Sequence, residues 1–96
     1  SLHDALPISA LQDLALSDYD AALERDGSSV IVRYDRSLLH ERRAGLALRA
    51  LRPAQAQASR DAARVDAREA VERSTNADSW YPRLLAHARG LGLEPD

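Results

Sequence analysis

Apolar residues recur along this chain at helical spacing, in four blocks. Leu11, Leu14, Ala15, Tyr19, Ala22 and Leu23 fall on one stripe of a helix over 10–26, because positions three and four apart share a helix face. Ser9 is placed to cap it, and Asp26-Gly27 to end it, since glycine takes the left-handed conformation freely. Val30, Ile31, Tyr34, Leu38, Gly45, Leu48 and Leu51 form the stripe of a longer helix over 28–52, capped by Ser28 or Ser29. Val32, Leu39 and Leu46 widen that stripe. The run Val30-Ile31-Val32 would suit a strand, but the helical period continues through it and no second strand offers a partner. Pro53 breaks or kinks the chain and can open a third helix over 53–74. This segment is Ala, Gln, Arg, Asp and Glu, with Val65 and Val71 as its larger apolar groups. It is a good helix former with a poor core face, expected to be partly exposed or to lean on something outside the chain. After a loop over 74–78, a short helix over 79–90 carries Trp80, Leu84, Leu85 and Ala88. Asp78 or Ser79 can cap it, Pro82 is tolerated in its first turn, and Gly90 and Gly92 stop it. The pattern predicts an all-α fold: a helical hairpin or small bundle of three to four helices, compact or extended.

Composition limits what such a bundle can hold. Ninety-six residues make one domain at most, which buries roughly 60–65% of its unfolded surface. The apolar fraction is 45%, mostly Ala and Leu, with no Phe, Met or Cys. Alanine buries little area per residue, so these helices are expected to lean on a partner. Without cysteine there is no disulfide framework and no thiol nucleophile. No apolar run approaches the roughly 20 residues of a membrane span, so a cytoplasmic protein without a membrane partner is expected. All thirteen basic residues are Arg, which suggests a GC-rich genome.

Net charge is −2 but unevenly spread. Residues 1–27 carry six acids against Arg25, whereas residues 33–52 carry six arginines against Asp35 and Glu41. The acidic segment is expected to pack beside the basic one. Arg36, Arg42, Arg43 and Arg49 are candidate phosphate contacts, with Arg60, Arg64 and Arg68 as a row on the third helix. Arginine's planar fork of donors suits phosphate. However, a sequence pI near 5.9 is far below that of most nucleic-acid-binding domains.

Each motif that would carry chemistry fails at a named residue. His40-Glu41 begins a zinc-protease helix, but the second histidine's place is Ala44. Asp18 and Asp20 suggest a calcium loop, whose glycine and final carboxylate would fall on Leu23 and Ser29. Gly27-Ser28-Ser29 lacks the second glycine of a nucleophile elbow. Gly90-Leu91-Gly92 lacks the third glycine of a dinucleotide loop. No catalytic residue, metal ligand or cofactor is therefore assigned.

Three resemblances add context. Ser1-Leu-His-Asp-Ala-Leu-Pro-Ile-Ser9 resembles a translated adaptor stretch, so residues 1–9 are expected to be non-native and the chain a fragment. Ala15, Tyr19, Ala22 and Gly27 sit as in one helix of a tetratricopeptide repeat, although no match recurs at 34 residues. Arg33-Tyr34-Asp-Arg-Ser37-Leu38, then Ala47-Leu48-Arg49-Ala-Leu51 and Gln55, is similar to the C-terminal helix of a family of short uncharacterised bacterial helical proteins. That resemblance implies a long helix and no activity.

The chain is thus expected to be one helical domain over 10–92 with a tail over 93–96. Its expected function is non-catalytic: binding a protein partner, or itself, through Val30, Ile31, Tyr34, Leu38, Leu48 and Leu51. A nucleic-acid-associated role through the arginine rows stands second. A fragment of a larger enzyme or helical-repeat protein stands third.

Overall fold

The computed structural model describes residues 6–75 and 77–94. Four helices follow in order: α1 (Ile8–Arg25), α2 (Val30–Arg49), α3 (Pro53–Arg73) and α4 (Tyr81–Gly90). Among the described residues there is no strand. The all-α bundle expected from the periodicity is the fold, and Val30-Ile31-Val32 opens α2. Helix α1 starts inside the adaptor-like stretch, with Pro7 and not Ser9 at its N-cap. Residues 1–5 of that stretch lie outside the described residues.

Helices α2 and α3 form the central hairpin. Their contacts pair falling positions on α2 with rising positions on α3, as in Ser37 with Ala63 and Arg33 with Glu69, so the two run antiparallel. Helix α1 packs on α2, and α4 packs on α3. Ser29 caps α2 by accepting the Val32 N–H at 3.3 Å. The α2–α3 break falls at Leu51, which has φ +58°. Around it the Arg52 N–H donates to Ala47 O at 2.8 Å and the Leu51 N–H to Leu48 O at 3.1 Å. This pair of bonds is the Schellman helix stop. Pro53 then occupies the first position of α3, where its missing N–H costs nothing.

The same stop ends α4, with Gly92 at φ +82° and the Leu93 N–H donating to Ala88 O at 3.0 Å. It folds Leu91 and Leu93 back onto the core, where both are buried. Residue 93 therefore belongs to the core and not to a tail.

The third helix also corrects its sequence reading. It is the middle of the molecule, with Ala56, Ala63, Asp66, Ala67, Ala70 and Val71 buried. Its small side chains let neighbouring backbones approach closely, so the poor core face is the packing surface. The core gathers Ala63, Ala67, Ala70, Val71, Leu84, Ala88, Leu91 and Leu93, with Val30, Tyr34, Tyr81 and Leu85 packed against it. Helix α1 buries no residue completely. The outline measures 43 × 30 × 19 Å, with a radius of gyration of 14.2 Å. A compact chain of this length would have roughly 12.5 Å, so the bundle is somewhat elongated. Among the described residues, no helix is long and apolar enough to cross a membrane.

Candidate functional site

The polar chemistry of the molecule lies along α2, and most of it faces inward. Arg36 grips Asp66 with two parallel bonds, Nε to Oδ2 and Nη2 to Oδ1, both 2.7 Å. Its Nη1 donates to Asp20 at 2.9 Å. Arg33 Nε donates to Glu69 at 2.9 Å, and its Nη1 donates to the carbonyl of Gly27. Arg43 Nη1 donates to Asp13 at 2.7 Å. The basic segment thus holds α1 and α3 together through acids on both, including the acidic N-terminal segment. Hydrogen bonding to Asp66 holds the Arg36 guanidinium even more firmly protonated than usual, against the opposing effect of burial. Of the four candidate phosphate contacts, Arg36 and Arg43 are engaged within the fold. Arg42 and Arg49 are exposed, and among the described residues no carboxylate lies within 4.0 Å of either.

A second cluster joins α2, α3 and α4. Ser37 is fully buried, and its Oγ lies 2.6 Å from Ala63 O and 2.7 Å from His87 Nε2. His87 Nδ1 is 3.5 Å from Glu41 Oε2. Serine, histidine and carboxylate in that order have the outline of a hydrolytic triad. The proton directions differ from a triad, however. A carbonyl can only accept, so the Ser37 hydroxyl donates to Ala63 O. His87 Nε2–H must then donate to Ser37 Oγ. A serine nucleophile would give its proton to the histidine and face a substrate. Ser37 does neither, and it serves as a polar rivet between three helices.

Both clusters contain a histidine that the fold prefers neutral. Burial pushes the His40 pKa down, with Arg36 and Arg43 acting in the same direction and Asp66 and Asp20 opposing. Burial likewise pushes His87 down, with Glu41 opposing. A histidine whose folded pKa is below its unfolded value of about 6.5 takes up its proton more readily in the unfolded chain. The stability it contributes is complete above pH 6.5 and is lost as pH falls towards the folded pKa. The urea midpoint should therefore fall between pH 7.5 and 5.5. It should fall less in a His40→Gln/His87→Gln variant, and an unchanged wild-type midpoint would refute the linkage. Asp35 acts in the opposite sense in the carboxylate range, because burial raises its pKa.

The candidate interface residues divide. Val30 and Tyr34 pack against the core. Tyr34 also meets the Trp80 ring edge-on at 6.2 Å and the His87 ring at 5.3 Å. Leu38 is half-buried. Ile31, Leu48 and Leu51 are 39%, 63% and 87% exposed. Leu48 and Leu51 stand with exposed Leu46 at the end where α2 turns into α3. Residues 42–60 hold five arginines and no carboxylate, so this tip is both apolar and basic. At the far end of α3, a cavity of about 380 Å³ has Val71, Ala88 and Leu93 on its floor, with Glu72, Glu94 and Arg68 around it. Among the described residues, no group of His, Asp and Glu is placed to hold a metal ion.

The sequence reading gives no site role to Ser37, His87, Asp66 or Glu69, and Glu41 enters it as a candidate only through the failed zinc-protease motif. One signal was available for two of them. Arg33 and Arg36 are three residues apart on α2, and Asp66 and Glu69 are three apart on α3, which is the register an antiparallel pair of helices needs.

Compared with known proteins, the chain matches no family model, no curated protein and no solved structure.

Proposed function

We propose that this chain is a non-catalytic helical interaction module, working in the cytoplasm and presenting the α2–α3 tip to a protein partner. The observation that carries this reading is the placement of Leu46, Leu48 and Leu51. These large apolar side chains stand at the surface, while half of the core cluster is alanine. A fold with few large apolar residues gains stability by burying them, and large apolar side chains left exposed at one end of the fold mark that end as a contact surface. The proposed surface is narrower than the stripe over 30–51, because Val30 and Tyr34 are used internally.

Site-specific crosslinking in the source cell tests this. A photoreactive side chain at position 48 is expected to capture discrete protein adducts. The same group at position 65 should not, although Val65 is 58% exposed, close to the 63% of Leu48. Equal capture at the two positions would remove the basis for the reading.

The acid-free stretch over 42–60 also favours a second reading, a nucleic-acid-associated protein using Arg42 and Arg49. Phosphate contacts release counterions, so such binding must weaken steeply as salt rises. No binding to duplex or single-stranded nucleic acid at low salt would end that alternative.

A further inference from the structure

The α2–α3 turn carries an unusual residue at its apex. Leu51 has φ +58° and is 87% exposed. The position suits glycine or asparagine, because a left-handed backbone crowds any Cβ. The apex therefore carries a strained backbone and an apolar side chain in water at the same residue. Arg49 and Arg52 flank it. The other end of the hairpin carries acidic groups around a cavity. The cavity beside Val71 is lined by Tyr81, Ala88 and Leu93 together with two carboxylates, Glu72 and Glu94, and one guanidinium, Arg68. The rise along α3 separates tip and cavity by roughly 30 Å, so one molecule cannot bring its own tip to its own cavity.

We propose that the partner of the tip is a second copy of this chain, bound head to tail, with Leu51 seated in the cavity formed by Val71, Ala88 and Leu93. Arg49 and Arg52 then face Glu72 and Glu94, so opposite charges meet at the contact. This rests on the interaction-module reading and names its partner. The contact is heterologous: each copy keeps a free tip at one end and a free cavity at the other, so assembly continues beyond a pair. One side chain and its rim make an interface below the roughly 1,200 Å² of standard complexes. Association is accordingly weak, and visible only at high concentration.

Sedimentation velocity over roughly 10 µM to 1 mM, the range in which small interfaces equilibrate, tests the proposal. The wild-type sedimentation coefficient is expected to rise with concentration. Leu51→Asn removes the tip and Glu72→Arg/Glu94→Arg removes the cavity rim, and each variant should sediment as a monomer throughout. An equimolar mixture of the two should form a 1:1 pair and nothing larger, because one supplies an intact cavity and the other an intact tip. Leu51→Asn should also melt a few degrees above wild type, since asparagine accepts the left-handed backbone. Loss of association in that variant thus cannot come from unfolding. A wild type that stays monomeric, a Leu51→Asn protein that associates normally, or a mixture that fails to pair would each overturn the proposal. If the wild type is monomeric while position 48 still captures other proteins, the self-association falls and the interaction module stands.

Discussion

Replacing Arg36 with leucine is expected to destabilise the fold by about 3–5 kcal/mol, the usual cost of stranding one member of a buried ion pair. The Asp66 side chain is only 4% exposed, and Arg36 supplies both of its short bonds. Among the described residues, the remaining basic neighbour is His40, whose Nε2 is 4.0 Å away and whose charged form burial disfavours. The reverse substitution is milder. Asp66→Leu leaves an arginine that is 23% exposed and still paired with Asp20, so a loss of about 1–3 kcal/mol is expected. The double variant Arg36→Leu/Asp66→Leu should lie close to wild type, because a well-packed apolar pair can replace a buried ion pair at little cost. Urea unfolding of the four proteins reads this cycle. Equal losses for the two single variants, or a double variant as weak as their sum, would contradict the asymmetry. The Arg36→Leu penalty should also shrink between pH 7.5 and 5.5. Without Arg36, His40 loses one repulsive neighbour and faces an unpaired carboxylate, so its protonation partly restores the missing charge.

Secondary structure was legible in the sequence because alanine and leucine recur at a helical period in every segment. Element ends were less so, and Leu51 shows why. A Schellman stop usually announces itself by a glycine, as at Gly92, but here a leucine occupies the left-handed position. The pattern therefore points to an α2 terminus near Pro53, whereas the break is set at residue 51. The role of α3 was missed for a different reason. Weighing helix faces by apolar size makes Ala56, Ala63, Ala67 and Ala70 look like filler. Their spacing is itself a helical row, and between two close helices small residues are what the geometry requires. The site divides in the same way. The opposed pairs Arg33/Arg36 and Asp66/Glu69 share a spacing and could be matched on paper. Ser37 and His87 are fifty residues apart, and no local pattern connects them. Their meeting depends on where the turn over 74–80 sends α4, which is a tertiary outcome. The turn itself is local: Asp78 Oδ1 accepts the Trp80 N–H at 2.9 Å.

The attachment of α4 makes Leu84 the most consequential apolar side chain. It is 1% exposed and, among the described residues, one of the largest buried side chains. Leu84→Ala is expected to cost about 2–5 kcal/mol, from lost burial and from the cavity left behind. The loss should also be uneven across the molecule. Helix α4 has ten residues, and a helix that short is marginal in water without tertiary support. Once Leu84 is truncated, α4 should open locally before the α2–α3 hairpin does, taking the His87–Ser37 bond with it. Amide exchange in the variant should therefore accelerate most over 84–91, with the protection of 36–44 reduced less. Val65→Ala, on the exposed side of α3, should change stability by under about 0.5 kcal/mol and leave exchange in α4 as it was. If Leu84→Ala lowers protection uniformly, α4 unfolds with the whole domain and is not a separately opening element. If the total loss is also below about 1 kcal/mol, the small core repacks around the truncated side chain.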